Sequence, residues 1–174
     1  LAIGADKAIR INTDSLDSYS VAKELTHIVQ KEKYDLIITG RESIDYNGGA
    51  VPGMMSEILN LPFVNACTGC EINNNTAFLE REIEGGKEFL ESSLPMIIAG
   101  QKGLVEETEL LIPNMRGIMT ARSKPLTIEE PIQEEMKCTS VSFEKPAPKA
   151  DCKMVEIGNE RELVNLLHAE AKVI

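Results

Sequence analysis

The sequence predicts an α/β fold built on a three-layer, doubly wound and mostly parallel sheet, with a β-meander and an extended C-terminal arm. The first 60 residues alternate in the order strand, helix, strand, loop and helix. Because parallel strands joined through a helix cross over with the right hand, this order favours helices on both faces of a sheet. Residues 63–91 then change to strand-like alternation between asparagine and glycine turns, which is typical of a meander.

The first strand–helix–strand unit has clear boundaries in the sequence. Lys7–Asn12 is a predicted strand, and Asp35–Gly40 is a short apolar run ending in glycine, as buried parallel strands often are. Asp14, Ser15 and Asp17 are candidate N-caps for the intervening helix. The apolar face of that amphipathic helix is predicted to contain Val21, Ala22, Leu25, Ile28 and Val29.

The remaining elements of the α/β part follow a polar loop. A second amphipathic helix is predicted to bury Val51, Met54, Met55, Ile58 and Leu59. Further strands are predicted at Phe63–Ile72, Thr76–Ile83, Lys87–Glu91 and Leu94–Ala99. Gly103–Asn114 has no period and is predicted to be a surface loop, and Arg116–Ser123 is a predicted short helix that ends before Pro125.

The two ends of the sequence differ from its centre. Residues 131–174 are predicted to form an arm, in which Glu144–Lys149 is an extended linker and Asn159–Glu162 has the spacing of a capping box. Since such an arm buries little apolar surface on its own, we expect it to lie on another subunit. Leu1–Asp6 resembles the end of a helix with Gly4 as its stop, so we expect an N-terminal part to precede this sequence.

Charge and cysteine usage narrow the classes of function. A formal net charge of −10 argues against binding to nucleic acid or anionic lipid, and no apolar run is long enough for a membrane span. Of the four cysteines, only Cys67 and Cys70 are closely spaced, and they lie within a predicted strand rather than at a helix start. Together with the lack of a signal-peptide pattern, reduced structural cysteines favour a cytoplasmic protein.

The strongest local feature is the segment Gly40–Val51, which follows a parallel strand and leads into a helix. Open parallel sheets bind their ligands at the carboxyl ends of the strands, and the free backbone amides at the start of a helix can donate to a phosphate. The segment matches neither a P-loop nor a GxGxxG fingerprint, and an ordinary strand-to-helix loop is the alternative interpretation. His27, His168 and Ser43 have no partners that would indicate catalysis, so a carrier or binding module is favoured over an enzyme.

Several motifs resemble the beta subunits of electron-transfer flavoproteins. The similarity lies in Gly40–Val51, Arg81-Glu-Ile-Glu-Gly-Gly86, Leu94-Pro95 and Arg116-Gly-Ile-Met119 with the following Ala121 and Arg122. The resemblance implies a Rossmann-like, adenine-nucleotide-binding domain over residues 1–130. It also implies a heterodimer in which a larger alpha subunit holds FAD, and which carries electrons from dehydrogenases, such as acyl-CoA dehydrogenase, to a quinone reductase or another acceptor.

In this family the beta subunit usually holds AMP as a structural ligand, and bifurcating members hold a second FAD there. AMP is expected here because Ala50-Val51-Pro52-Gly53 replaces the Gln-Val-Gly-Pro ending of bifurcating members. By resemblance, Asp45 would be a polar contact, and Gly49, Ala50 and Val51 would offer amides to phosphate. The residues expected around the nucleotide are Gly40, Arg41, Glu42, Ser43, Ile44, Asp45, Asn47, Gly48, Gly49, Ala50 and Val51.

The resemblance also implies two contacts with partner proteins. A dehydrogenase-docking loop corresponds to Leu104–Met115, where either Ile112 or Met115 takes the place of the family's anchoring leucine. Arg81 and Glu82 lie in a turn whose acidic residue commonly pairs with the alpha subunit. Two other interpretations compete with this one, an adenylating or nucleotide-hydrolysing enzyme and a stand-alone adenine-nucleotide sensor.

Overall fold

The computed structural model describes residues 1–14, 17–132, 135–149 and 151–174. The chain divides into two compact units, Leu1–Thr139 and Ser140–Ile174. The strands are β1 (Ala8–Ile11), β2 (Leu36–Gly40), β3 (Phe63–Asn73), β4 (Thr76–Ile83), β5 (Gly86–Ser93), β6 (Met96–Gly100) and β7 (Leu126–Glu129). The α-helices are α1 (Ser18–Lys31), α2 (Ala50–Leu59), α3 (Met115–Ala121) and α4 (Glu160–Leu166), and a π-helical turn, Leu167–Ala171, follows α4.

The main sheet has five strands in the order β2-β6-β3-β4-β5. Its first three strands run parallel, and β3, β4 and β5 form the antiparallel meander that the sequence predicts. The ladder of β3 shifts register between Val64 and Gly69, where Ala66 adopts a positive φ of 53°. Such a bulge bends a strand, and here it marks the change from parallel to antiparallel pairing.

The strand β6 lies between β2 and β3, in the middle of the parallel part of this sheet, and both of its faces are covered. Met96 and Ile98 pack with Val64, Cys67 and other residues of the meander strands on one face. Ile97 points to the other face, where it meets Ala22 of α1 and Met55 of α2. The predicted apolar side of α2 is confirmed, because Val51, Met54, Met55, Ile58 and Leu59 all join this second cluster.

A second, two-stranded parallel sheet pairs β1 with β7. Within the described residues no ladder joins this pair to the five-stranded sheet, so the single sheet expected from the sequence is observed as two sheets. The strand β7 is an addition to the predicted elements, because Lys124-Pro125 by itself indicates only the end of the preceding helix. The alternation of Leu126 and Ile128 with polar residues is the feature of the sequence that indicates a strand at this position. The mixed α/β character of the prediction is confirmed.

Helix α1 packs differently from its predicted apolar face. Leu25 is 38% exposed, whereas Ser20, Glu24 and Thr26 are buried. Glu24 is buried because the segment after β7 lies against α1, where the backbone amide of Ile132 donates to the Glu24 carboxylate at 3.1 Å. The segment after β7 therefore covers a polar side of α1, which the amphipathic pattern alone predicts to face solvent.

Asp17 begins α1 and holds the same segment. Its carboxylate accepts from the amide of Ser20 at 2.8 Å and from the amides of Lys137 and Cys138 at 2.7 and 2.8 Å. The predicted N-cap at Asp17 is thereby confirmed, and the candidate Ser15 lies outside the described residues. The Ser20 amide, aided by the other donors, lowers the pKa of Asp17 from 3.8 to about 2.

Three smaller expectations need correction. Leu1–Asp6 forms turns rather than a helix end, although Gly4 does have the positive φ expected of a stop. Asn159 begins α4, but its side chain makes no capping bond to the backbone and instead contacts the Glu162 carboxylate. The loop Gly103–Asn114 contains a short 3₁₀ turn at Glu107–Glu109. In the first two cases a local turn or a side-chain contact replaces the predicted feature, whereas Gly103–Asn114 remains the predicted surface loop with one short turn inside it.

We predict that Ile97→Ala lowers the free energy of unfolding by about 2–5 kcal/mol, because it leaves a cavity between β6 and the two helices. Ile83→Ala is the matched control, since Ile83 is half exposed at the end of β4. Its cost should stay below about 1 kcal/mol. Urea denaturation of the purified protein measures both variants, and equal losses would contradict the burial of Ile97 between β6 and the two helices.

We predict that the Asp17 carboxylate makes stability depend on pH between about 4 and 2. The folded pKa lies below the unfolded value, so the contribution is complete above pH 4 and is lost as pH falls toward 2. Asp17→Asn keeps a capping side chain but cannot titrate. The urea midpoint of the wild-type protein should therefore fall more steeply over this interval than that of the variant, and parallel curves would refute the cap.

Candidate functional site

The segment Gly40–Val51 begins where the edge strand β2 ends. The amide of Arg41 donates to the carbonyl of Gly100 at 3.2 Å, which extends the pairing with β6 by one bond. The chain then turns through residues 41–49 and enters α2 at Ala50. The loop is thus anchored at its start by β6, at the carboxyl ends of the parallel strands, where open parallel sheets bind ligands.

Ser43 and Gly48 close the loop on itself. The amide of Ser43 donates to the Gly48 carbonyl at 3.0 Å, and the amide of Gly48 donates to the Ser43 hydroxyl oxygen at 3.1 Å. The intervening Asn47 adopts a positive φ of 51°. A side chain added at Gly48 would approach the Ser43 hydroxyl to 3.3 Å, so glycine suits this closure. The loop therefore holds a defined shape although its residues are exposed.

Asp45 lies at the tip of this loop. Its carboxylate accepts from the amide of Tyr46 at 2.8 Å. Hydrogen bonding from Ser43, followed by the Tyr46 amide, lowers the pKa of Asp45 below its usual value. The carboxylate is therefore ionised at neutral pH and faces solvent, where it can accept from a ligand hydroxyl. Ile44 beside it is fully exposed.

Helix α2 presents an uncapped N-terminus to the same space. Gly49 is its N-cap and has no side chain to satisfy the first amides, and no acidic residue lies in the first turn. A β-carbon at Gly49 would come within 3.2 Å of the Arg41 carbonyl oxygen. Free amides and the positive end of the helix dipole together suit a phosphate group. The predicted residues Gly40–Val51 are thus brought together in one loop and helix start.

The side chain of Arg41 has a partner that the sequence did not indicate. Its Nη1 donates to Gln101 Oε1 at 2.5 Å, and its Nε lies 3.9 Å from a carboxylate oxygen of Glu42. Gln101 in turn contacts Glu82, one of the predicted partner-binding residues. Only the pairing of β6 with both β2 and β3 brings these distant residues together.

The predicted partner residues occupy different surroundings. Arg81 is engaged within the meander, since its Nε donates to Glu88 of β5 at 2.5 Å. Ile112 and Met115 are 80% and 75% exposed, and Met115 starts α3 behind its N-cap, Asn114. Both candidate anchors are therefore available at the surface of the first unit.

Among the described residues, no three histidine, cysteine or acidic side chains converge as metal ligands. His27 is half buried on α1, and a ring nitrogen of His168 lies 2.9 Å from the carbonyl oxygen of Ile174 in the second unit. Over the same described residues, no helix is long and apolar enough to cross a membrane.

Cys67 and Cys70 are free thiols that face the core. Cys67 is fully buried, and both residues pack in the cluster formed by β6 and the meander. The bulge in β3 explains how two residues three apart reach the same face of a strand. Burial raises the pKa of both thiols, which disfavours the reactive thiolate. Their surroundings suit packing rather than redox exchange.

Comparison with known proteins places the chain in a family. The family model described as "Electron transfer flavoprotein domain" matches residues 1–133. The "Electron transfer flavoprotein subunit beta" of Bacillus subtilis (strain 168) is 34% identical over all of this chain and 72% of its own length. Proteins of that name from Syntrophomonas wolfei and Dictyostelium discoideum are 35% and 33% identical over 86% and 90% of this chain.

The chain therefore belongs to the electron transfer flavoprotein family, among its beta subunits. This confirms the resemblance seen in the sequence motifs and its association with electron transport. The chain spans 59% and 63% of the lengths of the Syntrophomonas and Dictyostelium relatives.

We predict that Cys67 resists alkylation in the folded protein, because it is buried and its thiol pKa is raised. Cys138 is the internal control, since it is exposed. With iodoacetamide at pH 8, peptide mass spectrometry should find Cys138 modified within minutes and Cys67 only after denaturation. Rapid labelling of Cys67, or a peptide linked by a Cys67–Cys70 disulfide, would refute a structural role.

Proposed function

We propose that this chain acts in a heterodimeric electron transfer flavoprotein as the subunit that binds AMP structurally. The alpha subunit of the pair holds the redox-active FAD. The observation that supports this most directly is the closed loop Gly40–Val51, with an uncapped helix start at the carboxyl edge of parallel strands. We propose that this subunit acts as part of an electron carrier and is not catalytic on its own.

The geometry of the loop suits a nucleoside monophosphate. The amides of Ala50 and Val51, beside the glycines, can donate to the phosphate, and the exposed Asp45 carboxylate can accept from a ribose hydroxyl. AMP has one phosphate group, and the N-terminus of α2 supplies one position at which a phosphate can bind. A second FAD is the alternative for this site, but the replacement of the bifurcating motif by Ala50-Val51-Pro52-Gly53 favours AMP.

The alpha subunit explains the exposed apolar side chains of the second unit. Val141, Phe143, Met154 and Ile157 are all strongly exposed, and residues 140–149 and 151–158 contain no helix or strand. Large exposed apolar surfaces commonly mark interfaces with other proteins. We infer that residues 131–174 form the arm that lies on the alpha subunit, and that Arg81 and Glu82 contribute to the same interface from the meander.

Dehydrogenases, such as acyl-CoA dehydrogenase, are the proposed electron donors, and a quinone reductase or another acceptor receives the electrons. The exposed side chains of Ile112 and Met115 suit an anchor that fills an apolar pocket in such a partner. A stand-alone nucleotide sensor fits less well, since it would leave the apolar residues of the second unit uncovered.

We also propose that β1–β7 and the five-stranded sheet belong to one Rossmann-like, doubly wound, three-layer arrangement. Two features support this. All three strand pairs among β1, β7, β2, β6 and β3 are parallel, and β1, α1 and β2 follow one another as a strand–helix–strand unit. The residues 1–130 would then form the nucleotide-binding domain.

We predict that Ser43→Ala weakens AMP binding by the heterodimer about three- to tenfold, because the Gly48 amide loses the hydroxyl that closes the loop. Ser92→Ala is the control, since Ser92 lies in β5 and its hydroxyl donates to the carbonyl of the neighbouring Ser93 at 3.4 Å. Calorimetric titration of the nucleotide-free heterodimer with AMP measures both variants. Unchanged affinity in Ser43→Ala, or tighter binding of FAD than of AMP, would contradict the proposed site.

A further inference from the structure

The residues that follow β7 stay with the first unit before the chain continues into the second. Residues 131–132 and 135–139 belong to the first unit, which ends at Thr139. The exposed apolar residues proposed to meet the alpha subunit, such as Val141, lie in the second unit. We call residues 131–132 and 135–139 the base of the arm, because they join the proposed partner-binding part of the arm to the first unit.

Glu24 of α1 holds the beginning of this base. The residue is only 4% exposed, and its Oε2 accepts from the backbone amide of Ile132 at 3.1 Å. Since a carboxylate is costly to bury without hydrogen-bond donors, the base supplies a donor that this side chain needs. An apolar residue in place of Glu24 would be cheaper to bury but could not hold the Ile132 amide.

Asp17 divides its two carboxylate oxygens between the helix and the base of the arm. Its Oδ1 accepts from the Ser20 amide at 2.8 Å and caps α1. Its Oδ2 accepts from the amides of Lys137 and Cys138 at 2.7 and 2.8 Å. A serine caps a helix about as well as an aspartate does. The second oxygen is therefore not needed for the helix, and its contacts act on the base of the arm.

A third contact joins the base to the first turn of α1. The Nζ atom of Lys137 lies 5.7 Å from the centroid of the Tyr19 ring. An ammonium group at this distance over an aromatic face is attracted by the ring. Two of the three contacts thus hold the end of the base, next to the point where the second unit begins.

We propose that Asp17 and Glu24 are positioning residues that fix the base of the arm on α1 and thereby strengthen association with the alpha subunit. Their role rests on the proposed function, which assigns the arm to that subunit. An arm that starts from a fixed point has a higher effective concentration at its partner and loses less conformational entropy on binding. Release of the base lengthens the flexible tether, and subunit association becomes weaker.

The dissociation constant of the heterodimer tests this role in a variant that releases the base. Asp17→Ser keeps a cap for α1 but lacks the second oxygen, so the constant should rise about three- to tenfold. Asp14→Ser is the matched control, since Asp14 is exposed and precedes the helix, and it should keep the wild-type constant. Hydrogen exchange in Asp17→Ser should become faster at the amides of Lys137 and Cys138 and stay unchanged within α1.

Glu24 gives a second test that does not involve the helix cap. Glu24→Gln keeps an oxygen that can accept from the Ile132 amide, so the dissociation constant should stay within about twofold of the wild-type value. Glu24→Met has a similar length but no such acceptor, and it should raise the constant about three- to tenfold. Equal constants in the two variants would overturn the role of Glu24.

A double-mutant cycle separates an effect through the arm from general damage. Phe143→Ser removes an exposed aromatic side chain of the arm and should itself weaken association. Asp17→Ser should then cost less in the Phe143→Ser background than alone, because both changes act on the same contact. Additive losses, or an unchanged constant in Asp17→Ser, would overturn the role of the base and leave the arm on the alpha subunit. An unchanged constant in Phe143→Ser would instead contradict the position of the arm in the proposed function.

Discussion

The hydrogen-bond ladders on both sides of β6 determine where the functional parts of this protein lie. On one side β6 pairs with β2, from which the loop Gly40–Val51 departs, and on the other side with β3, from which the meander begins. Side chains of β6 alternate between two clusters, with Ile97 facing the helices and Met96 and Ile98 facing the meander strands. Burial of each such side chain contributes about 1.5–3 kcal/mol. The strand therefore anchors both the candidate site and the surface proposed for the partner.

The position of the candidate site is determined by the backbone hydrogen bonds at the carboxyl end of β6. Arg41 continues the ladder by bonding the Gly100 carbonyl, and Gln101 turns away through a bond to Cys67. The loop between β2 and α2 then closes on itself through the hydrogen bonds of Ser43 and Gly48. A site whose backbone is held in this way loses less conformational entropy on binding, which favours a permanently bound structural nucleotide.

Sequence reasoning worked where a local pattern decides the structure. The apolar side of α2, the Asp17 cap and the meander turns follow from periodicity and side-chain chemistry over a few residues. It failed where distant segments meet, as in the burial of Glu24 beneath Ile132 and the pairing of β7 with β1. The loop Gly40–Val51 could be located from its glycines and its place after a strand. The contact of Arg41 with Gln101 could not, because 59 residues separate them and only the order β2-β6-β3 brings them together.

Native mass spectrometry of the complex purified from its own cells tests the central claim most directly, when followed by denaturation and identification of the released nucleotides. A heterodimer with a larger subunit that releases one FAD and one AMP is the predicted result. Release of two FAD molecules and no AMP would indicate that the loop Gly40–Val51 binds a second flavin nucleotide instead of AMP. A homo-oligomer that releases adenine nucleotide without flavin would contradict the account of this chain as a carrier subunit.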